Sequence, residues 1–168
     1  MKNNKLEEQF LQLYQEIADA LYRHCYFRVY TKEKAEELVQ EAFLKTWEYL
    51  ASGASVPYPK ALVYKIANNL IIDSVRKKKE QSLEVLQEQG FDPSYEEKQM
   101  TDDVLDGRIL LKSLLSLDEE YREVVSLRFV DDLSPKEIAS ILGVSANVVS
   151  VRIHRGVKKL KEAQKKQL

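Results

Sequence analysis

The chain has 168 residues, 44% hydrophobic and 32% charged, with only 5 Gly and 4 Pro, so we expect folded, mostly helical structure. A single Cys excludes an internal disulfide, and one Cys with 2 His cannot close a zinc site without carboxylates, so we predict no metal. The net charge of −1 is unevenly distributed: residues 1–79 contain 13 Lys and Arg against 10 Asp and Glu, residues 80–104 contain 1 against 8, and residues 105–168 contain 12 against 9.

Three amphipathic helices are predicted in residues 1–79. Apolar side chains recur every three or four residues over 5–29, 32–50 and 60–79, which places them on one face of each helix. The sequence ASGASVPYP at 51–59 has the composition of a loop. Three such helices with a shared core predict one compact domain at 1–79.

Residues 80–104 are predicted to be an acidic linker, because their apolar periodicity is weak and they include Gly90 and Pro93. A second helical domain is predicted at 105–168. Its first two helices lie around 109–117 and directly after Asp118. The predicted fold class is therefore all-α, with two small helical domains joined by the linker and a helix-turn-helix in the second.

Residues 133–160 carry the helix-turn-helix pattern. Ser134 is a favourable N-cap, and Glu137 completes a capping box with it. Gly143 permits a turn that a Cβ would strain, and Val149 supplies the apolar contact that holds the second helix at a steep angle. An ordinary helical hairpin would share some of these features. Basic side chains along the second helix favour DNA binding in the major groove: Arg152, Arg155, Lys158, Lys159 and Lys161.

Both predicted domains resemble one family. AEELVQEAFLKTW (35–47) and PKALVYKIANNLIIDSVRKKK (59–79) closely resemble the region-2 signature of extracytoplasmic-function (group 4) sigma factors of the sigma-70 family. LLSLDEEYREVVSLRFVDDLSPKEIASILGVSANVVSVRIHRGVKKL (114–160) resembles their region-4 signature. The resemblance implies a promoter-specificity subunit of bacterial RNA polymerase. Region 2 would dock on the β′ clamp helices and engage the −10 element, and region 4 would dock on the β flap and recognise the −35 element.

The resemblance implies a polymerase-docking role for the predicted helix 32–50. The candidate polymerase-binding residues, which match the family's signature, are Leu38, Val39, Gln40, Glu41 and Phe43. We interpret its apolar stripe as internal packing and its polar neighbours Gln40 and Glu41 as the better candidates for contacting another protein. A solvated helix face is the alternative interpretation of these two residues.

The predicted helix 60–79 contains the candidates for binding the −10 element. Asn69 stands where the family carries an asparagine that holds a flipped-out base, and nearby cations would neutralise phosphates. The full candidate set is Lys65, Asn69, Asp73, Arg76 and Lys77. An exposed or capping amide is the alternative interpretation of Asn69. Ala61 and Asn68 depart from the family, which often has tryptophan and arginine there, so the −10 preference stays open.

The second helix of the predicted helix-turn-helix contains the candidates for the −35 element. They are Asn147, Ser150, Val151, Arg152, His154, Arg155 and Lys158. Residues near the helix N-terminus are expected at base edges, whereas Arg152 and Lys158 are expected at phosphates, which set position rather than sequence choice. Val148, Ser150 and Val157 replace the threonine, lysine and arginine common in the family. This predicts weak non-specific DNA affinity.

Two other functions compete with a sigma factor. A two-domain helix-turn-helix regulator would bind DNA without polymerase, and a helical adaptor would bind only proteins. The sequence shows no catalytic constellation and no phosphate-binding glycine loop, so we predict neither an enzyme nor a cofactor. The family's usual regulator is an anti-sigma factor that covers the polymerase-binding surfaces, and the sequence does not decide whether this chain has one. With no signal-peptide core and no apolar stretch near the roughly 20 residues of a membrane span, we expect a cytoplasmic protein and no membrane insertion.

Overall fold

The structure is a computed structural model that describes residues 2–85 and 113–165. Within these ranges the regular structure is helical, which confirms the all-α prediction. Most of the acidic segment 80–104 and the start of the predicted helix 109–117 lie outside the described residues. The helices are α1 (Lys2–Val29), α2 (Lys32–Ala51), α3 (Pro59–Val85), α4 (Glu119–Phe129), α5 (Pro135–Leu142) and α6 (Ala146–Lys165).

Helices α1, α2 and α3 pack against one another and form the N-terminal module. The apolar stripes predicted from the sequence line its core, where Leu21, Val63 and Ala67 are fully buried. Two rings from α1 pack around Phe43 of α2, with centroid distances of 6.0 Å to Phe10 and 4.7 Å to Tyr14. Burial of these faces fixes which sides of α2 and α3 remain available at the surface.

The C-terminal module, residues 113–165, contains the predicted helix-turn-helix. Ser134 Oγ accepts a hydrogen bond from the Glu137 backbone N–H at 3.3 Å, and Glu137 Oε2 accepts one from the Ser134 N–H at 2.8 Å. This confirms the capping box. Gly143 ends α5 in the left-handed region, at φ 67°, where a side chain would be strained. The turn glycine is therefore also confirmed.

Helix α6 is seated on α4 through a close approach at Gly156. A Cβ at this position would lie 2.7 Å from Val125 Cγ2, nearer than atoms of real side chains come. Val149 lies on the same face of α6 as Gly156 and is fully buried. Together they hold the inner side of α6 against the module and leave its outer side at the surface.

The two modules pack against each other in the structure. Helix α3 of the N-terminal module lies along α5 of the C-terminal module. Lys60 Nζ donates to the Asp132 carbonyl oxygen at 3.5 Å, and buried His24 and Asp131 meet across the same boundary. No helix within residues 2–85 and 113–165 is both long and apolar enough to cross a membrane.

Candidate polymerase and nucleic-acid interfaces

The structure divides the five candidate docking residues of α2 into two groups. Leu38, Val39 and Phe43 are buried, with 2%, 9% and 5% of their surface exposed. Their side chains therefore position the helix and are not exposed to a partner, as expected from the interpretation of the apolar stripe as internal packing. Gln40 is exposed and Glu41 is partly exposed, so these two residues remain accessible.

One residue on this surface was not among the candidates predicted from the sequence. Leu44 is 57% exposed, although Leu is usually buried. It follows Gln40 by four positions and Glu41 by three, so all three share one helical face. Lys45 Nζ lies 3.6 Å from Glu41 Oε1 at the edge of that face. The exposure of Leu44 could have been predicted from the sequence, because Leu44 falls outside the apolar stripe of α2.

All five −10 candidates on α3 are exposed and lie along one side of the helix. Asp73 Oδ1 lies 3.3 Å from Arg76 Nη2, so Asp73 partly neutralises that cation. The uncharged surface beside them includes Ile72 and Val75, which are 63% and 49% exposed. This α3 face combines an amide, cations and exposed apolar surface, which suits a partner that has both phosphates and exposed bases.

A groove joins the α2 and α3 surfaces. It is lined by Arg28 of α1, by Lys34, Glu37, Glu41 and Lys45 of α2, and by Asp73 and the basic run at 77–79 of α3. Cations outnumber carboxylates along this groove, so it favours an anionic ligand such as a nucleic-acid strand. The basic run at 77–79 therefore lies next to the candidate docking helix.

The two family departures on α3 both lie inward. Asn68 is partly buried, and its Oδ1 is 2.7 Å from His24 Nε2, so its amide is engaged inside the molecule. Ala61 is buried, with 1% of its surface exposed. Neither position offers a direct contact to DNA in this structure. Asn69, the next residue along the helix from Asn68, is exposed.

The outer side of α6 presents most of the −35 candidates. Asn147, Ser150, Val151, His154, Arg155 and Lys158 are all exposed. The Ser150 hydroxyl donates to the Ala146 carbonyl oxygen at 2.9 Å, so its proton is used within the helix. Ser145 Oγ accepts from the Val148 N–H at 3.2 Å and caps the start of the helix. The base-edge candidates with unoccupied side-chain surface are therefore centred on Asn147 and Val151.

Two cations of α6 form ion pairs with carboxylates of the C-terminal module. Arg152 Nε lies 3.4 Å from Glu120 Oε2, and Lys159 Nζ lies 3.3 Å from Asp118 Oδ2. Arg152 is also partly buried. Both ion pairs compete with phosphate for these side chains, so Arg155 and Lys158 are better placed than Arg152 for backbone contacts. The phosphate contacts expected of Arg152 and Lys158 stay predictions.

The two modules coincide with two regions of one protein family. Sigma-70 region 2 matches residues 13–81, and Sigma-70, region 4 matches residues 107–160. Over 174 residues the chain is 30% identical to the ECF RNA polymerase sigma factor SigW of Bacillus subtilis (strain 168), covering 96% of this chain and 90% of SigW. It is 31% identical to the RNA polymerase sigma factor YlaC of the same organism, covering 95% and 91%.

Solved structures show the same fold. The sigma factor RpoE from Bartonella quintana, in complex with the anti-sigma factor NepR, aligns with a TM-score of 0.67 at 24% identity, covering 94% of this chain and 98% of RpoE. CnrH, in complex with the cytosolic domain of CnrY, aligns with a TM-score of 0.67 at 22% identity, covering 96% and 91%. A chain that contains both sigma-70 regions and is about 30% identical to curated sigma factors over most of its length is an RNA polymerase sigma factor. The chain belongs to the extracytoplasmic-function sigma factors of the sigma-70 family, which confirms the resemblance seen in the sequence.

Proposed function

We propose that this sigma factor directs promoter-specific initiation through three separate surfaces. The α2 face around Gln40, Glu41 and Leu44 binds core polymerase, the α3 face around Asn69 engages the −10 element, and the outer side of α6 recognises the −35 element. One observation supports this division most directly. Each of the three helices buries its apolar stripe and leaves a chemically distinct face exposed, within the two regions that match the family.

The α2 face has the composition of a small protein-binding surface. Exposed Leu44 supplies an apolar centre, and Gln40, Glu41 and Lys45 supply a polar rim. Interfaces gain most of their energy from such a centre, because burying apolar surface is favourable while rim charges contribute little. Docking on the β′ clamp helices through Leu44 therefore fits the geometry better than docking through the buried Leu38 or Phe43.

The α3 face would bind one strand of an opened duplex. Extruding a base from its stack costs roughly a few kcal/mol, so a surface that does this needs both a base-binding group and phosphate neutralisation. Asn69 offers a donor and an acceptor for a base edge. Lys65, Arg76 and Lys77 surround it with exposed cations, which support phosphate binding.

The −35 element would be recognised by the exposed side of α6, which would enter the major groove in the manner of a helix-turn-helix. Asn147 and Val151 would lie nearest the base edges, with an amide for hydrogen bonding and an apolar group for a thymine methyl. His154, Arg155 and Lys158 continue this face toward the backbone. Docking of this module on the β flap would fix its distance from the −10 surface.

We further propose that residues 1–79 and 105–168 act as the two functional domains, with 80–104 as their acidic linker. The protein would act in the cytoplasm by binding, without a catalytic role. RpoE, one solved relative, forms a complex with an anti-sigma factor. We include a protein of that kind among the partners of this chain, together with core polymerase and promoter DNA.

Run-off transcription with purified bacterial core polymerase tests this function. We expect transcripts from specific promoters only when this chain is added, and no promoter footprint from the chain alone. A footprint without polymerase would instead favour a helix-turn-helix regulator. No footprint under either condition would favour a protein-binding adaptor.

The docking surface is tested by a Leu44→Lys variant in a pull-down with core polymerase. We expect at least a tenfold loss of binding, because a charged side chain replaces the apolar centre of the interface. Leu11→Lys is the matched control, since Leu11 is 59% exposed on α1 and outside this face. Equal losses for both variants would contradict the assignment.

A further inference from the structure

A buried polar cluster joins the two modules. His24 of α1 lies with its Nδ1 2.9 Å from Asp131 Oδ2 and its Nε2 2.7 Å from Asn68 Oδ1. The side chains of His24 and Asp131 are 0% and 2% exposed. His24 and Asn68 belong to the N-terminal module, whereas Asp131 lies in the turn between α4 and α5 of the C-terminal module. The cluster therefore exists only while the modules are together.

Further charged and aromatic groups surround this cluster. The Tyr64 ring meets the His24 ring edge-on, with centroids 5.0 Å apart. Arg28 Nη1 donates to the His24 carbonyl oxygen at 2.9 Å. Burial lowers the pKa of the Arg28 guanidinium, and the nearby carboxylates of Asp131 and Glu123 oppose that shift. Packing of the two modules against each other therefore places several charges in a poorly solvated space between them.

The burial of Asp131 is explained by the contact between the two modules. Its Oδ2 is bonded to His24 of the other module, and its Oδ1 is buried without a hydrogen-bond partner among the described residues. Its side chain thus makes no hydrogen bond that the helix-turn-helix needs for its own folding. The unpaired Oδ1 makes closure costly, because a buried acceptor without a partner loses its hydration. The contact between His24 and Asp131 is therefore specific, but it contributes little net stability to the packed arrangement of the modules.

The geometry of a promoter requires the modules to separate. Elements centred near −35 and −10 lie roughly 25 base pairs apart, which is roughly 85 Å of duplex at about 3.4 Å per base pair. A compact chain of this length has a radius of gyration of about 15 Å, and its longest helix, the 28-residue α1, spans only about 42 Å. The closed arrangement therefore cannot contact both elements at once.

We propose that His24, Asn68 and Asp131 form a clasp that holds the free sigma factor closed, and that polymerase binds the open form. The part concerning polymerase rests on the proposed function, whereas the clasp itself does not. A partner that binds only the open form has an apparent affinity reduced by the fraction of open molecules. The clasp would thus set how much of the protein is ready to bind polymerase.

Small-angle X-ray scattering of the free chain tests the clasp without polymerase. We compare the wild type with Asp131→Arg, which places a cation against His24 and Arg28. We expect the radius of gyration to rise from about 15 Å, the value for a compact chain of this length, by at least a third. Glu119→Arg, a charge reversal at an exposed position of α4, is the matched control and should stay compact.

Two further variants separate opening from unfolding. Asp131→Ala removes the clasp without adding charge and should also expand the chain, with the helical circular dichroism unchanged. Asp131→Asn keeps a hydrogen-bond acceptor and should expand it less. An extended wild-type chain, or a folded Asp131→Arg chain as compact as the wild type, would overturn the clasp.

Polymerase binding supplies the second readout. Asp131→Arg should bind core polymerase at least threefold more tightly than the wild type, with Glu119→Arg unchanged. An expanded Asp131→Arg chain with unaltered polymerase affinity would overturn the coupling to polymerase. If no variant binds polymerase at all, the proposed function fails, whereas the scattering result still decides whether the clasp exists.

Discussion

At the scale of single residues, burial changes the chemistry of groups that look reactive in the sequence. Cys25 is the only cysteine, and it is fully buried in the N-terminal module. Burial raises the pKa of its thiol to about 12, Arg28 opposes the shift, and Asp131 adds to it. Since the thiolate is the reactive form, this cysteine is a packing residue in the folded protein.

We therefore expect Cys25 to react with a thiol reagent at pH 8 at least a hundredfold more slowly in the native chain than in urea. The thiol has its ordinary pKa of 9.0 in the unfolded chain and a pKa of about 12 in the folded chain. Its contribution to stability is therefore complete below pH 9 and is lost progressively as the pH rises from 9 to 12. Native labelling as fast as unfolded labelling would contradict this burial.

At the scale of elements, the sequence predicted the parts of the fold that depend on neighbouring residues. The apolar stripes, the capping box and the turn at Gly143 all involve partners within a few positions of one another. The sequence did not predict the contact between His24 and Asp131, because 107 positions separate them and neither residue has a local signal. It also extended the docking set to Leu38, Val39 and Phe43, because a family signature contains the residues that hold a surface as well as those that form it.

The capping box gives a prediction at this scale. Ser134→Ala removes the acceptor for the Glu137 N–H, and we expect it to lower the free energy of unfolding by about 1 kcal/mol. Chemical denaturation monitored by circular dichroism measures this change. Ser140→Ala is the control, because Ser140 lies exposed within the same short helix and has no capping role. A smaller loss for Ser134→Ala than for Ser140→Ala would be inconsistent with the cap.

At the scale of the whole molecule, the distribution of charge matters more than its total. The net charge is −1, yet cations concentrate along the groove between α2 and α3 and along the outer side of α6. Two α6 cations already have carboxylate partners within the C-terminal module. Few cations therefore remain for phosphates on that module, which limits its affinity for DNA that it meets without polymerase.

This limit predicts a shallow salt dependence for the free chain. With about three phosphate contacts from α6, log affinity against log salt should have a slope near −3, since each contact contributes roughly −0.9. Titrating a fluorescent duplex at several salt concentrations measures the slope. Glu120→Gln should release Arg152 and steepen it by about one unit. A wild-type slope near −6 would contradict the assignment of these cations.

The close approach at Gly156 has a consequence for how promoter choice can change. This glycine fixes how α6 packs on α4, through Val125 and Tyr121, without using any side chain on the exposed side of α6. Under the proposed assignment of the −35 surface, we therefore expect substitutions at Asn147, Val151 or His154 to alter which bases are preferred without moving the helix. The residues that pack α6 and the residues proposed to choose the promoter therefore do not overlap, so promoter choice can change in evolution without any change in the packing of the module.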